Sequence, residues 1–354
     1  MESILITGAA GYIGIHTSLV FLEKGFHVVL LDSFSNSSKK AIDRLYKISS
    51  TTKSFSCSQI SFFEGDVRDI KFLRAVFKKL FISGNPIKAV MHFAGLKSVA
   101  ESISLPKIYW EVNVDGTTNL LKVMSENKCN NFVFSSSATV YSPFEKSPLH
   151  ETYKVKPIDP YGETKLAVEE ILRDLHKDKK SNWNIICLRY FNPIGAHSSG
   201  TIGESPLSIP NNLFPFICDV AMGKRKLLKI YGNDWPTRDG TCIRDFIHIM
   251  DLAEGHLSAL IYLMKQDKEQ KNTFLIINLG TGKGTSVLDL VKTFESVNKL
   301  KINYAFSERR KGDKSTVYSN CDLAKDILGW EAKKSISEMC RDGWNWQLNN
   351  PNGY

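Results

Sequence analysis

Ile4-Leu5-Ile6-Thr7-Gly8-Ala9-Ala10-Gly11-Tyr12-Ile13-Gly14-Ile15-His16-Thr17-Ser18-Leu19-Val20-Phe21-Leu22 stands almost at the start of the chain. A short apolar run leads into glycines three residues apart, and apolar residues at helical spacing follow. The pattern reads as strand, glycine turn and helix. A pyrophosphate needs this arrangement: backbone without side chains can approach the anion, and a helix start offers free N–H groups at its positive dipole end. Gly8, Gly11 and Gly14 are therefore candidate phosphate-binding positions.

The next apolar run, 27–31, ends in Asp32. That is a little under the roughly 20-residue interval at which an acid meets a ribose hydroxyl. An acid there repels a 2′-phosphate, so the pattern favours NAD over NADP.

Working outward, strand-like and helix-like segments alternate. Helices are expected over 39–48, 69–81, 112–126 and 161–176, and strands over 60–66, 89–93, 131–135 and 185–189; 51–58 reads as a loop. Such alternation predicts an α/β fold with a parallel, doubly wound sheet. Ligands of such sheets bind beyond the carboxyl ends of the strands, which would bring Asp32, Asp66 and Ser135 to Ser137 to one crevice. After Phe191 prolines and glycines thicken and the alternation stops. A dinucleotide-binding domain over 1–189 and a smaller α/β substrate-binding domain over 190–354 are expected, with a segment such as 245–265 packing back on the first. Ile276 to Gly282 reads as a strand running into a turn rather than a second phosphate loop.

Composition excludes several classes. The net charge of +9 comes from scattered pairs and short runs of lysine and arginine, among them Lys177 to Lys180 and Arg309-Arg310-Lys311. No aromatic-basic module accompanies them, so no nucleic-acid partner is expected. The seven cysteines, Cys57, Cys129, Cys187, Cys218, Cys242, Cys321 and Cys340, include no C-x-x-C pair, which supports neither a disulfide framework nor a metal site. The first strand begins too close to Met1 for a signal peptide and no apolar run reaches membrane-spanning length, so a cytoplasmic protein with no membrane partner is expected.

Tyr161 and Lys165 lie four apart on an expected helix and so share a face. A tyrosine, ordinarily titrating near 10, becomes a usable base when a nearby ammonium stabilises its phenolate. Ser135-Ser136-Ser137 places hydroxyls at a strand's carboxyl end. Serine, tyrosine and lysine beside a dinucleotide form a set for taking hydride from a carbinol carbon.

With these residues in hand, the chain resembles the extended short-chain dehydrogenase/reductases over nearly its full length, and among them those that invert C4 of a UDP-hexose. The likeness is carried by Thr7 to Gly14, His92-Phe93-Ala94-Gly95-Leu96-Lys97, Ser135 to Tyr141, Tyr161 to Lys165, Arg189-Tyr190-Phe191-Asn192-Pro193, Ile209-Pro210-Asn211-Asn212-Leu213, Tyr231 to Asp234, Ile243-Arg244-Asp245 and Arg310-Lys311-Gly312-Asp313. The resemblance implies a Rossmann-type first domain, bound NAD and a homodimer packed through helices of that domain. It implies interconversion of UDP-glucose and UDP-galactose through transient oxidation at C4, a 4-keto sugar, and hydride return to the opposite face. It sets Ser137 as catalytic serine, Tyr161 as base and Lys165 as the lysine that tunes it. Tyr12, Ile13, Asn36, Asp66, Val67, Phe93, Ala94, Gly95, Lys97, Asn113, Ser135 and Tyr190 resemble cofactor contacts. Lys97, Phe191, Asn192, Asn212, Leu213, Tyr231, Arg244, Arg310 and Asp313 resemble the grip on the UDP-sugar.

The related 4,6-dehydratases place an Asp-Glu pair after the catalytic hydroxyl residue, where this chain has Ala138-Thr139. Other departures are Ser142 for a usual glycine and Phe246 for a frequent tyrosine. Val317 stands beside the sugar's C2 substituent, with Tyr318 next. A small side chain there leaves room for an N-acetyl group, so UDP-N-acetylhexosamines are an alternative or additional substrate. A one-way oxidoreductase or an idle NAD-binding module are the remaining alternatives.

Overall fold

The computed structural model describes residues 1–52, 54–178, 182–207, 212–269, 272–310 and 312–354. Lys179, Lys180, Ile209, Pro210, Asn211 and Lys311 of the motifs above lie outside the described residues.

The first half alternates β1 (Ser3–Thr7), α1 (Tyr12–Glu23), β2 (His27–Asp32), α2 (Lys39–Thr52), β3 (Ile60–Glu64), α3 (Ile70–Ile82) and β4 (Ile87–His92). Two short helices, α4 (Val99–Ser104) and α5 (Pro106–Trp110), precede α6 (Gly116–Glu126), β5 (Asn131–Ser137), α7 (Pro160–Lys177) and β6 (Asn184–Tyr190). The chain continues through β7 (Asn192–Ile194), α8 (Leu213–Ala221), β8 (Leu228–Tyr231), β9 (Ile243–Arg244), β10 (Phe246–His248) and α9 (Ile249–Lys268). It closes with β11 (Thr273–Leu279), β12 (Thr285–Ser286), α10 (Val287–Asn298), β13 (Tyr304–Ser307), β14 (Thr316–Val317), α11 (Asp322–Leu328) and α12 (Ile336–Asn349).

Seven parallel strands form the main sheet in the order β11-β6-β5-β4-β1-β2-β3. Alternation along β1 explains why both faces are covered. Ile4 and Ile6 face a core shared with α1, α2 and α9, whereas Leu5 faces one shared with α3, α6 and α7. Side chains of this size contribute roughly 1.5–3 kcal/mol each when fully buried. A third apolar cluster joins α8, α10 and α12 in the C-terminal part. The strand order reverses between β1 and β4, and the glycine turn leaves from that switch point, where open α/β sheets bind ligands.

Two local expectations are corrected. Residues 51–58 are not all loop, because α2 runs to Thr52 and a capping box between Ser56 and Gln59 closes a 3-10 turn at Cys57–Gln59. The segment 112–126 is helical but begins as a π turn over Glu111–Asp115. Residues from 190 onward divide between the main sheet and a smaller part. β6 does end at Tyr190, but α9 then packs on α1 and β11 extends the main sheet beside β6. The turn after β11 holds no spare N–H groups for a phosphate. The buried Asp245 carboxylate accepts hydrogen bonds from Thr281 N at 2.8 Å, Thr281 Oγ1 at 2.6 Å, Gly282 N at 3.2 Å, Ser319 N at 3.1 Å and Ser319 Oγ at 2.5 Å.

A Cβ on Gly14 would overlap the Gly8 carbonyl oxygen and lie 2.9 Å from Ala9 Cα, both rigid backbone atoms. Gly14→Ala is expected to cost about 2–3 kcal/mol of stability, as overpacking does. Denaturant unfolding measures it, and an unchanged midpoint would refute the close approach.

Candidate functional site

The glycine turn is built by contact. Gly8 has φ +68°, and a Cβ there would lie 2.7 Å from Ala94 N in the segment after β4. Gly11 caps α1 without a side-chain hydrogen bond, so the first N–H groups of that helix are not claimed by a cap. Asp32, at the end of β2, closes the turn from the other side. Its Oδ2 accepts Ala10 N at 2.8 Å, and its Oδ1 accepts Phe34 N and Ser37 Oγ, each at 2.8 Å. A carboxylate has about four acceptor positions, so one remains for a ribose hydroxyl. The Tyr12 hydroxyl donates to the Gly195 carbonyl at 2.6 Å, tying the turn to the C-terminal part, and Ile13 packs against the first core.

At the far end Asp66 receives the Arg68 guanidinium on both oxygens. Those hydrogen bonds hold its carboxyl below the usual value although burial opposes them. Val67 is buried against Gly116, and Asn36 Oδ1 accepts Leu207 N at 3.1 Å. Toward the middle, the Phe93 ring lies 4.8 Å from that of His256. Asn113, from the π turn, accepts Leu96 N at 2.8 Å and donates to Leu96 O and to Thr164 Oγ1 on α7, each at 3.0 Å. Both of its N–H bonds serve the protein, so Asn113 fixes the 94–97 segment against α7.

Tyr161 and Lys165 share one face of α7, which Asp159 caps through Gly162 N and Pro160 starts. Lys165 Nζ lies 5.8 Å from the Tyr161 ring centroid, 4.9 Å from that of Phe134, and donates to Ser135 O at 2.8 Å. Burial holds the Lys165 ammonium down to about 8, with Glu169 opposing it. Burial pushes the Tyr161 phenol up to about 12, with hydrogen bonding to Ser137 pulling the other way. Ser137 ends β5, and its Oγ accepts Thr139 N at 3.2 Å and Thr139 Oγ1 at 3.0 Å. Ser136 points elsewhere, into a buried contact with Glu169. In the sheet Ser137 pairs with Tyr190, whose hydroxyl lies 3.1 Å from His256 Nε2.

Directly after Tyr190 the chain enters a cavity of about 180 Å³. Phe191, Asn192, Asn212, Leu213, Tyr231, Arg244, Arg310 and Asp313 all line it. The Asp313 carboxylate bridges two cations, with Arg310 Nε at 3.0 Å and Arg244 Nη2 at 3.6 Å, and Arg310 lies 4.7 Å over the Tyr231 ring. Lys97 is outside the cavity but joined to it: Glu204 Oε1 accepts from Lys97 Nζ and from Asn212 Nδ2, each at 3.3 Å. Val317 pairs with Arg244 and packs in a small cluster with Ala138 and Phe191. The Tyr318 ring lies 3.2 Å from the Cβ position of Gly284. Among the described residues, no group of three or more His, Cys, Asp or Glu could hold a metal, and no helix is long and apolar enough to cross a membrane.

A doubly wound sheet with a glycine turn at its switch point, a Tyr-x-x-x-Lys helix and a serine on the neighbouring strand end define an extended short-chain dehydrogenase/reductase. A family model described as GDP-mannose 4,6 dehydratase matches residues 5–343. UDP-glucose 4-epimerase 2 of Arabidopsis thaliana is 47% identical over 353 residues, covering 100% of this chain and 97% of the relative. The UDP-glucose 4-epimerase of Stenotrophomonas maltophila, solved with NAD and a formylated UDP-arabinopyranose, superposes with a TM-score of 0.92 at 39% identity over 99% of both chains. That of Bifidobacterium longum, in complex with NAD+ and UDP, gives 0.89 at 40% identity over 100% of both. The chain belongs to the UDP-glucose 4-epimerase family.

Sequence reasoning missed Glu204 and Glu169. Glu204 sits in a polar loop without pattern. Glu169 carries one usable signal, its place one helical turn beyond Lys165.

The lowered Lys165 value has a thermodynamic consequence. Between about 8 and 10.5 the unfolded chain holds a proton that the folded protein has released, so stability rises with pH through that window and the full cost is present below it. In NAD-stripped protein, Lys165→Met should gain on the order of 1–2 kcal/mol at pH 7. The gain should shrink as the pH rises from 8 to 10.5. Urea unfolding at several pH values checks both; a variant less stable at pH 7 would contradict the assigned cost.

Proposed function

We propose that this chain interconverts UDP-glucose and UDP-galactose by inverting C4, with NAD held throughout the cycle. The observation that carries the reading is the continuity of the site. Eight of the nine side chains expected to grip a nucleoside-diphosphate sugar, all but Lys97, line one cavity, and that cavity opens beside the strand end bearing Ser137. The names and bound ligands of the related structures support it.

The residues present fit a dinucleotide. Gly8 and Gly14 let the turn close on neighbouring backbone where a Cβ would clash, unclaimed N–H groups start α1, and Asp32 keeps one acceptor position. When bound, NAD supplies the hydride acceptor and donor for C4 and a positive ring near the phenol. Gly8, Gly11 and Gly14 would hold its pyrophosphate, Asp32 a ribose, and Asp66, Val67 and the 93–97 segment its two ends. Tyr161 accepts the C4 hydroxyl proton and returns it to the same oxygen after the sugar has turned its other face. Ser137 hydrogen-bonds the same oxygen. The Lys165 ammonium offsets the burial that holds Tyr161 up, favouring the phenolate. Arg244 and Arg310 present guanidinium groups to the diphosphate, held in place by Asp313. Tyr231 offers a flat face for the base.

Tyr161→Phe should lower turnover of UDP-glucose by at least 1,000-fold, as loss of an acid-base group does, and leave bound NAD unchanged. Product analysis without added cofactor, with the NAD content measured, tests this. A fully active variant would refute the assigned base.

A second substrate class is suggested by Val317, a small side chain that packs against the same apolar cluster as Ala138 and Phe191. Wild-type protein should also epimerise UDP-N-acetylglucosamine, and Val317→Tyr should remove that activity while sparing UDP-glucose. Absence of any wild-type turnover of the acetylated sugar would end this reading.

The proposed assembly is a homodimer. Ile103 on α4, Leu105 at the junction and Ile108 and Trp110 on α5 are exposed apolar side chains of the first domain. Replacing Ile103 and Ile108 with Asp should halve the mass seen by sedimentation, and an unchanged mass would place the interface elsewhere. The proposed domains are 1–189 with α9 and β11 added, and the remainder of 190–354. All seven thiols are free, which suits a reducing compartment, and the cytoplasm is the proposed setting. The proposed pathway role is galactose metabolism.

A further inference from the structure

Three pieces of chain must keep their register for the proposed chemistry: α7 with Tyr161 and Lys165, the end of β5 with Ser137, and the end of β6 leading to Tyr190 and the cavity. Glu169 touches all three. It stands one turn beyond Lys165 on α7 and is fully buried. Its Oε1 accepts Ser136 Oγ at 2.5 Å and Arg189 Nε at 2.9 Å, and its Oε2 accepts Arg189 Nη2 at 2.5 Å. Ser136 immediately precedes Ser137. Arg189 pairs with Ser136 in the sheet, immediately precedes Tyr190, and is itself fully buried.

We propose that Glu169 is a positioning residue for the epimerisation: its carboxylate clamps α7 to the ends of β5 and β6, and so sets where Tyr161, Lys165 and Ser137 stand relative to one another.

Packing alone does not account for a charged clamp. A buried ion pair contributes little net stability against apolar residues of the same volume, but leaves a costly unpaired charge when one partner is removed. What the pair provides is geometry. A bidentate guanidinium–carboxylate contact admits few orientations, and the third donor, Ser136, fixes the carboxylate plane along β5. Its charge also matters. Lys165 is a buried cation whose only hydrogen bond on the described residues is to Ser135 O. Glu169 is the charge that opposes its deprotonation. The other titratable groups facing the two side chains are His92 on β4, Cys187 and Tyr190 on β6, Tyr141 after β5 and Glu151 beside Arg189. His92 is held down to about 3 by burial, and burial pushes Cys187, Tyr190 and Tyr141 up. All four are neutral around pH 7, and Glu151 has its carbonyl on Arg189 Nη1 at 3.4 Å.

The inference rests on the proposed reading of Tyr161 and Lys165, and the test separates the two. The holoenzyme is assayed with UDP-glucose across pH 6–10 as wild type, Glu169→Gln and Ser136→Ala, with bound NAD and thermal midpoint measured for each. Wild type must epimerise; if it does not, the functional reading fails before the clamp is tested. Glu169→Gln keeps the shape and removes the charge. It is expected to lower kcat by about 10–100-fold with KM within about threefold, and to move the alkaline limb of the kcat profile down by about one pH unit, as losing a nearby opposite charge does. A residue that only stabilises the fold would leave that limb where it is. Glu169→Asp should restore the limb. Ser136→Ala, a small change that leaves the ion pair intact, should lower kcat several-fold at unchanged KM. An NAD-loaded Glu169→Gln with wild-type kcat and an unmoved limb overturns the proposal. If that variant does not fold, a Ser136→Ala enzyme with wild-type kcat overturns it instead.

Discussion

The closeness of the backbone at the glycine turn constrains the rest of the molecule. Gly14 has no room for a side chain against Gly8, and Gly8 has none against Ala94. The turn is therefore pressed onto the segment that follows β4. One residue on, a Cβ at Gly95 would lie 3.0 Å from Asn113 Oδ1 and 3.8 Å from Lys165 Nζ. Asn113 in turn holds Thr164 on α7. Three contacts lead from the glycine turn to the helix that carries Tyr161. The part of the site that would anchor a cofactor and the part that would act on a sugar are thus set by one packing problem.

Much of this was legible in the sequence, and the reasons are local. The glycine spacing, the acid at the end of β2 and the tyrosine–lysine interval are determined within a few residues, so a linear reading finds them. The strands of the first half were found because both sheet faces are covered and their runs are continuously apolar. The grip on the sugar nucleotide came from resemblance, since arginines and asparagines scattered from 192 to 313 carry no pattern of their own. The return of α9 and β11 to the main sheet was only partly foreseen. A strand such as Thr273–Leu279 looks alike whichever sheet it joins, and only its partner, β6, decides. Glu169 was not singled out and Asp245, part of a quoted motif, was given no role, because a buried carboxylate is recognisable by its donors, and those come from β5 and β6 in one case and from residues 281 to 319 in the other.

Buried charge divides into two uses. Asp32, Asp245 and Glu169 are satisfied by several donors each, and they hold turns and strand ends in place. Lys165 is different, because it keeps a buried ammonium at a cost that its single carbonyl partner does not offset. Strain of this kind is expected where a group must act on a neighbour rather than support the fold. The absence of an acid pair after Ser137 points the same way. Ala138 and Thr139 follow Ser137 where related dehydratases have an Asp-Glu pair, and neither supplies the second acid-base group that elimination of water requires.

The account turns on a hydride that leaves C4 and comes back to it. UDP-glucose carrying deuterium at C4, turned over by the holoenzyme in ordinary water without added cofactor, tests this most directly. The prediction is UDP-galactose with the deuterium retained at C4 and no net formation of NADH. Loss of the label to solvent, or a keto product accumulating with reduced cofactor, would contradict it.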